Sequence, residues 1–178
     1  SAIPDAVLYE VILDGVVVSN QTDTSFTSSK VLTDGNHEIK VRAKDVVGNF
    51  SDYGIHVVTI DKTPTSIPSP ITNTPTNNNT PTWTWSPISE AVEYEVILDN
   101  VSQGIQTNAL FVSSSTLSDG THELKVRAKD AVGNWSAYGI HIVEIDTTAP
   151  DVPVPFTSSP SNNNTPTWSW SKVPSSVE

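Results

Sequence analysis

The chain has 178 residues with no Cys and no Met, and its 20 acidic against 9 basic residues give a net charge of −11. Without Cys there can be no disulfide and no thiolate metal site. The acidic balance argues against nucleic acid or an anionic membrane as partner, since each needs a basic face.

The first stretch with a clear pattern is Tyr-Glu-Val-Ile-Leu-Asp at 9–14, and Lys-Val-Arg-Ala-Lys-Asp follows at 40–45. Both recur 85 positions later, at 94–99 and 125–130, and more than half of the positions aligned by that offset are identical. A period this long does not suit a stacked solenoid unit. It suits a small domain repeated in series, each copy with its own core. Next in chain order is 62–82, which holds Pro64, Pro68, Pro70, Pro75 and Pro81. Proline fixes φ and restrains the residue before it, so an extended, stiff segment is predicted.

One full copy then lays out as seven strands in sandwich lettering. Strand A lies within 66–75, B over 80–86, C over 92–99, a short C′ near 101–106, E over 109–113, F over 121–129 and G over 138–145. In C, Tyr94, Val96 and Leu98 share one face while Glu93 and Glu95 share the other. In F, His122, Leu124, Val126 and Ala128 point inward and Glu123, Lys125, Arg127 and Lys129 outward. Period two with one wet face marks an antiparallel sandwich sheet. Asp99-Asn100, Asp119-Gly120 and Gly133-Asn134 supply the turns between strands. No stretch carries a helical period or approaches the roughly 18 apolar residues of a membrane span. The fold class predicted is all-β, as tandem antiparallel sandwiches of about seven strands.

The chain carries the motifs Thr-Pro-Thr-Trp-Thr-Trp-Ser (80–86), Tyr-Glu-Val-Ile-Leu-Asp (94–99), Leu-Ser-Asp-Gly-Thr-His (117–122), Val-Arg-Ala-Lys-Asp-Ala-Val-Gly-Asn-Trp-Ser (126–136) and Ile-Asp-Thr-Thr-Ala-Pro (145–150), each with a counterpart 85 positions away. Together they resemble the fibronectin type III and bacterial Ig-like repeats of large surface adhesins. The resemblance implies an Ig-like sandwich and a linker of the Ile-Asp-Thr-Thr-Ala-Pro type. One departure is that His37 and His122 stand where type III domains place a corner tyrosine.

With the linker placed there, 62–146 is one complete domain. Residues 1–61 carry strands C to G of a preceding domain without A and B, and 147–178 carry A and B of a following one. The two part-domains are complementary, so the tail 151–178 of one molecule is expected to complete 1–61 of another, giving head-to-tail strand exchange. With no Met, the chain reads as an internal piece of a longer protein.

Three sets of side chains could carry function. The four His (37, 56, 122, 141) form two repeat-equivalent pairs, and His37 and His122 read as corner residues at the start of F, with a metal-ligand role as the alternative. Trp83 and Trp85, with Trp168 and Trp170, lie two apart on strand B and share a face. They read as core indoles, with sugar stacking as the alternative, while Trp135 and Phe50 follow Gly-Asn near a domain end. Asp45 with Asn49, and Asp130 with Asn134, bracket a turn; Asp61 and Asp146 end strand G, and Asp151 follows in the linker. Calcium takes six to eight oxygen ligands, which such junction residues could supply, and the resemblance to calcium-stiffened repeats points the same way. Ordinary turn chemistry accounts for the same residues. Ser66 stands where Asp151 recurs, so one copy lacks that ligand.

No nucleophile elbow, paired catalytic carboxylates, phosphate loop or HExxH helix is present, so an enzyme is not expected. The function expected is a spacer rod in a secreted or cell-surface adhesin-like protein, with neighbouring repeats as partners. The alternatives are a glycan- or protein-binding module and an accessory domain of a secreted hydrolase.

Overall fold

The computed structural model describes residues 6–157 and 159–173, so the outermost parts of the expected exchange, 1–5 and 174–178, lie outside the described residues. The chain divides into two compact units, Ser1–Thr63 and Pro64–Glu178. Among the described residues every regular element is a strand and every strand pairing is antiparallel. The fold is all-β.

In the first unit, β1 (Ala6–Leu13), β2 (Val16–Gln21), β3 (Gly35–Asp45) and β4 (Gly54–Ile60) form one sheet in the order β2-β1-β3-β4. The β1–β2 hairpin turns through Asp14 and Gly15, whose φ angles of 50° and 79° give the tight left-handed turn that matches strand twist. Residues 25–27 form no strand, although the matching stretch of the second copy does. That stretch needs a strand-B partner, and this unit has none among its described residues.

The second unit contains β5 (Thr82–Thr84), β6 (Glu93–Leu98), β7 (Val101–Gln106), β8 (Leu110–Val112), β9 (Gly120–Lys129), β10 (Gly139–Ile145), β11 (Pro155–Phe156) and β12 (Ser169–Trp170). Its sheet β10-β9-β6-β7 faces the small sheet β5-β8, while β11 and β12 pair only with each other. β5 to β10 are the strands B to G laid out from the sequence. Strand A shrinks to two bridges: Ile71 pairs antiparallel with Thr84, and Thr76 pairs parallel with Ile145. Pro68, Pro70 and Pro75 lack the N–H that a continuous ladder needs.

Between the two layers lies the core. Leu124, Val126 and Ala128 of β9, Tyr94, Val96 and Leu98 of β6, and Val143 and Ile145 of β10 meet Trp83 and Trp85. Trp83 is fully buried 5.9 Å from the Phe111 ring, and Trp85 meets Tyr94 edge-on at 5.4 Å and 70°. Such indoles are too deeply buried to stack on a sugar, so they supply the apolar area and offset ring contacts on which the layer packing depends.

The candidate site: acidic turns, corner histidines and an outer-face arginine cluster

Asp130 follows β9 and folds the chain back on itself. Its Oδ1 accepts the backbone N–H groups of Val132 (3.0 Å), Gly133 (2.7 Å) and Asn134 (2.8 Å), and its Oδ2 accepts the Asn134 amide at 2.8 Å. Gly133 supplies the positive φ, 103°, that closes the turn. Burial pushes the Asp130 carboxyl up, but the hydrogen bonds from Asn134, Gly133 and Val132 outweigh it and hold the group below the ordinary carboxylate range. Asp45 repeats the arrangement, with Oδ1 accepting Val47 and Asn49 N–H and Oδ2 accepting the Asn49 amide at 2.9 Å. Its carboxyl is held low by the Asn49 side chain first and by backbone amides after it. Both oxygens of each carboxylate are therefore engaged by the turn that contains it.

At the far end of strand G, Asp146 accepts Thr148 N–H and Asp61 accepts Thr63 N–H, each at 2.9 Å. Two residues not offered as ligands from the sequence, Asp34 and the turn residue Asp119, bind the same segments. Asp119 accepts Thr147 N–H and the Thr147 and Thr148 hydroxyls, and Asp34 accepts Lys62 N–H and the Thr63 hydroxyl. Within each unit the residues singled out, Asp45, Asn49 and Asp61 in the first and Asp130, Asn134, Asp146 and Asp151 in the second, thus fall into separate groups. Within the second unit, Asp130 and Asp146 sit at opposite ends of the ten-residue β9, about 30 Å apart along the strand direction. Asp151 is exposed beyond Asp146. Among the described residues no three His, Asp or Glu side chains converge as a metal cage would require.

His122 begins the inward face of β9. Its Nδ1 lies 2.7 Å from Asp99 Oδ2 and its Nε2 2.9 Å from the Ser118 carbonyl, while Asp99 Oδ1 accepts Glu123 N–H. His37 makes the same two contacts with Asp14 and the Thr33 carbonyl. The imidazole thus makes a corner bond of the kind a tyrosine hydroxyl makes, to a carbonyl four residues upstream. Both ring partners are acceptors only, so both bonds are held when the ring is doubly protonated. For His37 the Asp14 hydrogen bond raises the pKa above 6.5. For His122 burial pulls downward, and the Asp99 and Ser118 bonds outweigh it to give a net rise.

On the outer face, Arg127 Nε donates to Glu95 Oε2 at 2.6 Å, and Tyr138 donates to the same oxygen at 2.5 Å. The guanidinium lies 4.5 Å from the Trp135 ring centroid and 4.9 Å from that of Tyr138. The first unit repeats the cluster with Arg42, Glu10, Phe50 and Tyr53. Trp135 is thereby fixed as an arginine platform on its own sheet. Sequence reading missed Glu95, Arg127 and Tyr138 because three separate stretches contribute them. The available signal was that the whole set recurs at the 85-residue offset.

The family follows from this repeat. Residues 69–147, somewhat under half of the chain, match the family model of the bacterial Ig-like domain. This segment is a bacterial Ig-like domain. No curated protein matches the chain. Solved structures similar to it include the fibronectin(III)-like modules of Clostridium thermocellum CbhA, at 16% identity and TM-score 0.47, covering 82% of this chain and 80% of that one. The Clostridium perfringens spore cortex lytic enzyme SleM is similar at 19% identity and TM-score 0.38, over 46% of this chain and 28% of that one. The central fibronectin-III array of RIM-binding protein is similar at 17% identity and TM-score 0.32, over 93% and 67%. In the Ig-like domain, then, the polar residues that stand out are spent on its own turns and corners. No helix among the described residues is long and apolar enough to cross a membrane.

Proposed function

We propose that the chain is a non-catalytic spacer from a secreted or cell-surface bacterial protein, in which Ig-like repeats are joined stiffly to hold other parts of the parent away from its anchor. The observation that carries this reading is that much of the connecting segment is tied to one unit or the other. Up to Thr63 it is bonded into the first unit through Asp34 and Asp61. From Pro64 it is built into the second, where Thr65 is buried and donates to the Ala128 carbonyl at 3.4 Å. Pro68 and Pro70 are buried as well, and the Pro68 carbonyl lies over Gly139. A linker with Lys62 and Thr63 tied to one unit and Thr65, Pro68 and Pro70 seated in the other, and with prolines at 64, 68 and 70, has few free torsions. The acidic surface supports the placement by keeping such a protein soluble outside the cell, where bacterial Ig-like domains are often found.

The chain has no Cys, so two spin labels can be placed unambiguously, at Val47→Cys and Val132→Cys on the exposed tips of the equivalent turns. Pulsed electron resonance on the doubly labelled chain should give one narrow distance distribution, unchanged by salt. A broad distribution like that of a flexible tether would refute the spacer reading.

A further inference from the structure

His122 reaches beyond the corner it closes. Its Nε2 meets the Ser118 carbonyl, and the residue after Ser118 is Asp119, whose carboxylate holds Thr147 N–H and the hydroxyls of Thr147 and Thr148. The first unit keeps the same order. His37 Nε2 meets the Thr33 carbonyl, and Asp34 holds Lys62 N–H and the Thr63 hydroxyl. In each unit two adjacent residues thus carry the acceptor for a titratable ring and the clamp on the segment that leaves β10 or β4. The piece that carries them is short and bounded. Leu117 N–H donates to the Asn79 carbonyl at 2.8 Å, and its side chain packs against the core. On the other side Gly120 has a φ of 126° with nothing within 4 Å of where a Cβ would stand, so Ser118 and Asp119 ride between a fixed point and a glycine pivot. Gly35, after Asp34, has the same φ.

Counting protons decides what the ring does there. Both partners of His122, Asp99 Oδ2 at 2.7 Å and the Ser118 carbonyl at 2.9 Å, only accept, so the doubly protonated ring satisfies both and the neutral ring satisfies one. The carboxylate is the stronger partner because its bond is charge-assisted. Nδ1 therefore keeps its proton, and Nε2 turns a lone pair on the Ser118 carbonyl. Two lone pairs at that separation repel, and the part free to yield is the peptide beside the glycine pivot. The charge that acts on His122 comes from Asp99 in the β6–β7 turn, and β10 sets Val143 opposite it. Glu123 beside it and Glu144 on β10 sit at alternate positions that face outward. His37 has Asp14 in the place of Asp99, Val58 opposite, and Lys30 as a further charge that disfavours its protonation.

We propose that each corner histidine is a pH-sensitive latch on the segment that leaves its unit. While doubly protonated, His122 holds the Ser118–Asp119 peptide where Asp119 clamps Thr147 and Thr148, and His37 holds Thr33–Asp34 where Asp34 clamps Lys62 and Thr63. Loss of one ring proton releases the peptide and loosens the clamp. Both pKa values are raised above 6.5, so the latch is closed in mild acid and opens as pH rises through the folded values. The proposal rests on the spacer reading, to which it adds a regulation: the joints are stiff in mild acid and pliant in alkali.

The test is heteronuclear NMR of the 178-residue chain from pH 5.5 to pH 8.5, read at Thr147 and Lys62, whose N–H groups the two clamps hold. Their amide resonances should shift with the midpoints of the His122 and His37 rings respectively, as the clamp bonds lengthen. His122→Asn should flatten the Thr147 titration and leave Lys62 titrating, and His37→Asn should do the reverse. A dispersed spectrum at pH 5.5 shows that each variant is folded. The distance distribution between labels at Val47→Cys and Val132→Cys should also widen from pH 5.5 to pH 8.5, and His37→Asn should remove that pH dependence. Amide resonances that do not follow the rings overturn the latch, as does a distribution equally narrow at both pH values. A distribution broad at both pH values counts against the spacer reading instead, and the amide titration then decides the latch by itself.

Discussion

Gly139 opens β10 directly beneath the linker, and a Cβ added there would lie 1.7 Å from the Pro68 carbonyl oxygen, 2.8 Å from its carbon and 3.2 Å from Pro70 Cδ. The first two neighbours are backbone, well inside the contact distance of about 3.5 Å, and cannot rotate away. Gly139→Ala must therefore lift residues 64–70 off the strand, uncovering Pro68 and Pro70 and breaking the bond from Thr65 to Ala128. Overpacking of this kind costs about 1–3 kcal/mol, and the backbone position of the clash puts the expected loss near the top, about 3 kcal/mol. For a domain of this size that lowers Tm by roughly 12 °C or more. The assay is thermal unfolding of the whole chain followed by tryptophan fluorescence. All five tryptophans lie between positions 83 and 170, so the signal reports the second unit alone. The control is Gly54→Ala, the equivalent position in the first unit, where the new Cβ would meet only the Val41 carbonyl oxygen at an ordinary 3.7 Å; because that unit holds no tryptophan, its unfolding is followed by far-UV circular dichroism. Its effect should stay within about 0.5 kcal/mol. A Gly139→Ala midpoint indistinguishable from wild type would mean that the linker is not packed on β10, and the account of its stiffness would fail with it.

The corner histidines make stability depend on pH in a definite direction. Their pKa values are raised in the fold above 6.5, so the stabilisation is complete below 6.5 and is lost as pH rises through the folded values. The urea midpoint should be higher at pH 5.5 than at pH 8.5, and His37→Asn/His122→Asn should flatten that slope; a midpoint that rises with pH contradicts the geometry. The carboxylates of Glu10, Asp45, Glu95, Asp119 and Asp130 are held low, so they add stability above the usual carboxylate range that disappears as pH falls through their folded values. For metal, both oxygens of each turn carboxylate are already engaged by amides of their own turn, so excess calcium and chelator should give the same Tm at matched ionic strength. A site filled at a hundredfold excess over its Kd would instead raise stability by about 2.7 kcal/mol, which calorimetry would detect readily.

The sequence by itself determined the strands that alternate. Residues 124–129 alternate apolar and charged side chains and burial follows them residue by residue, while over 93–98 burial alternates as well although Val96, Ile97 and Leu98 are all apolar. The 85-residue offset likewise determined that Trp83 and Trp85 belong to a repeated core. Strand A did not follow the same logic, because prolines at 68, 70 and 75 left it only two bridges, on different sheets. The acidic residues show a different limit. Asp130 and Asp146 look alike along the chain, but a strand of ten residues separates them, and only hydrogen-bond geometry reveals that Asp130 is consumed by its own turn. Glu95, Arg127, Trp135 and Tyr138 were illegible as a group for the same reason: their neighbourhood depends on the pairing of β6 with β9 and on the bridge from Lys129 to Trp135. Local pattern is set by side-chain period and turn chemistry, which act over a few residues and can be read from them. Which distant residues share a site is set by strand register and layer packing, and those exist only once the chain has folded.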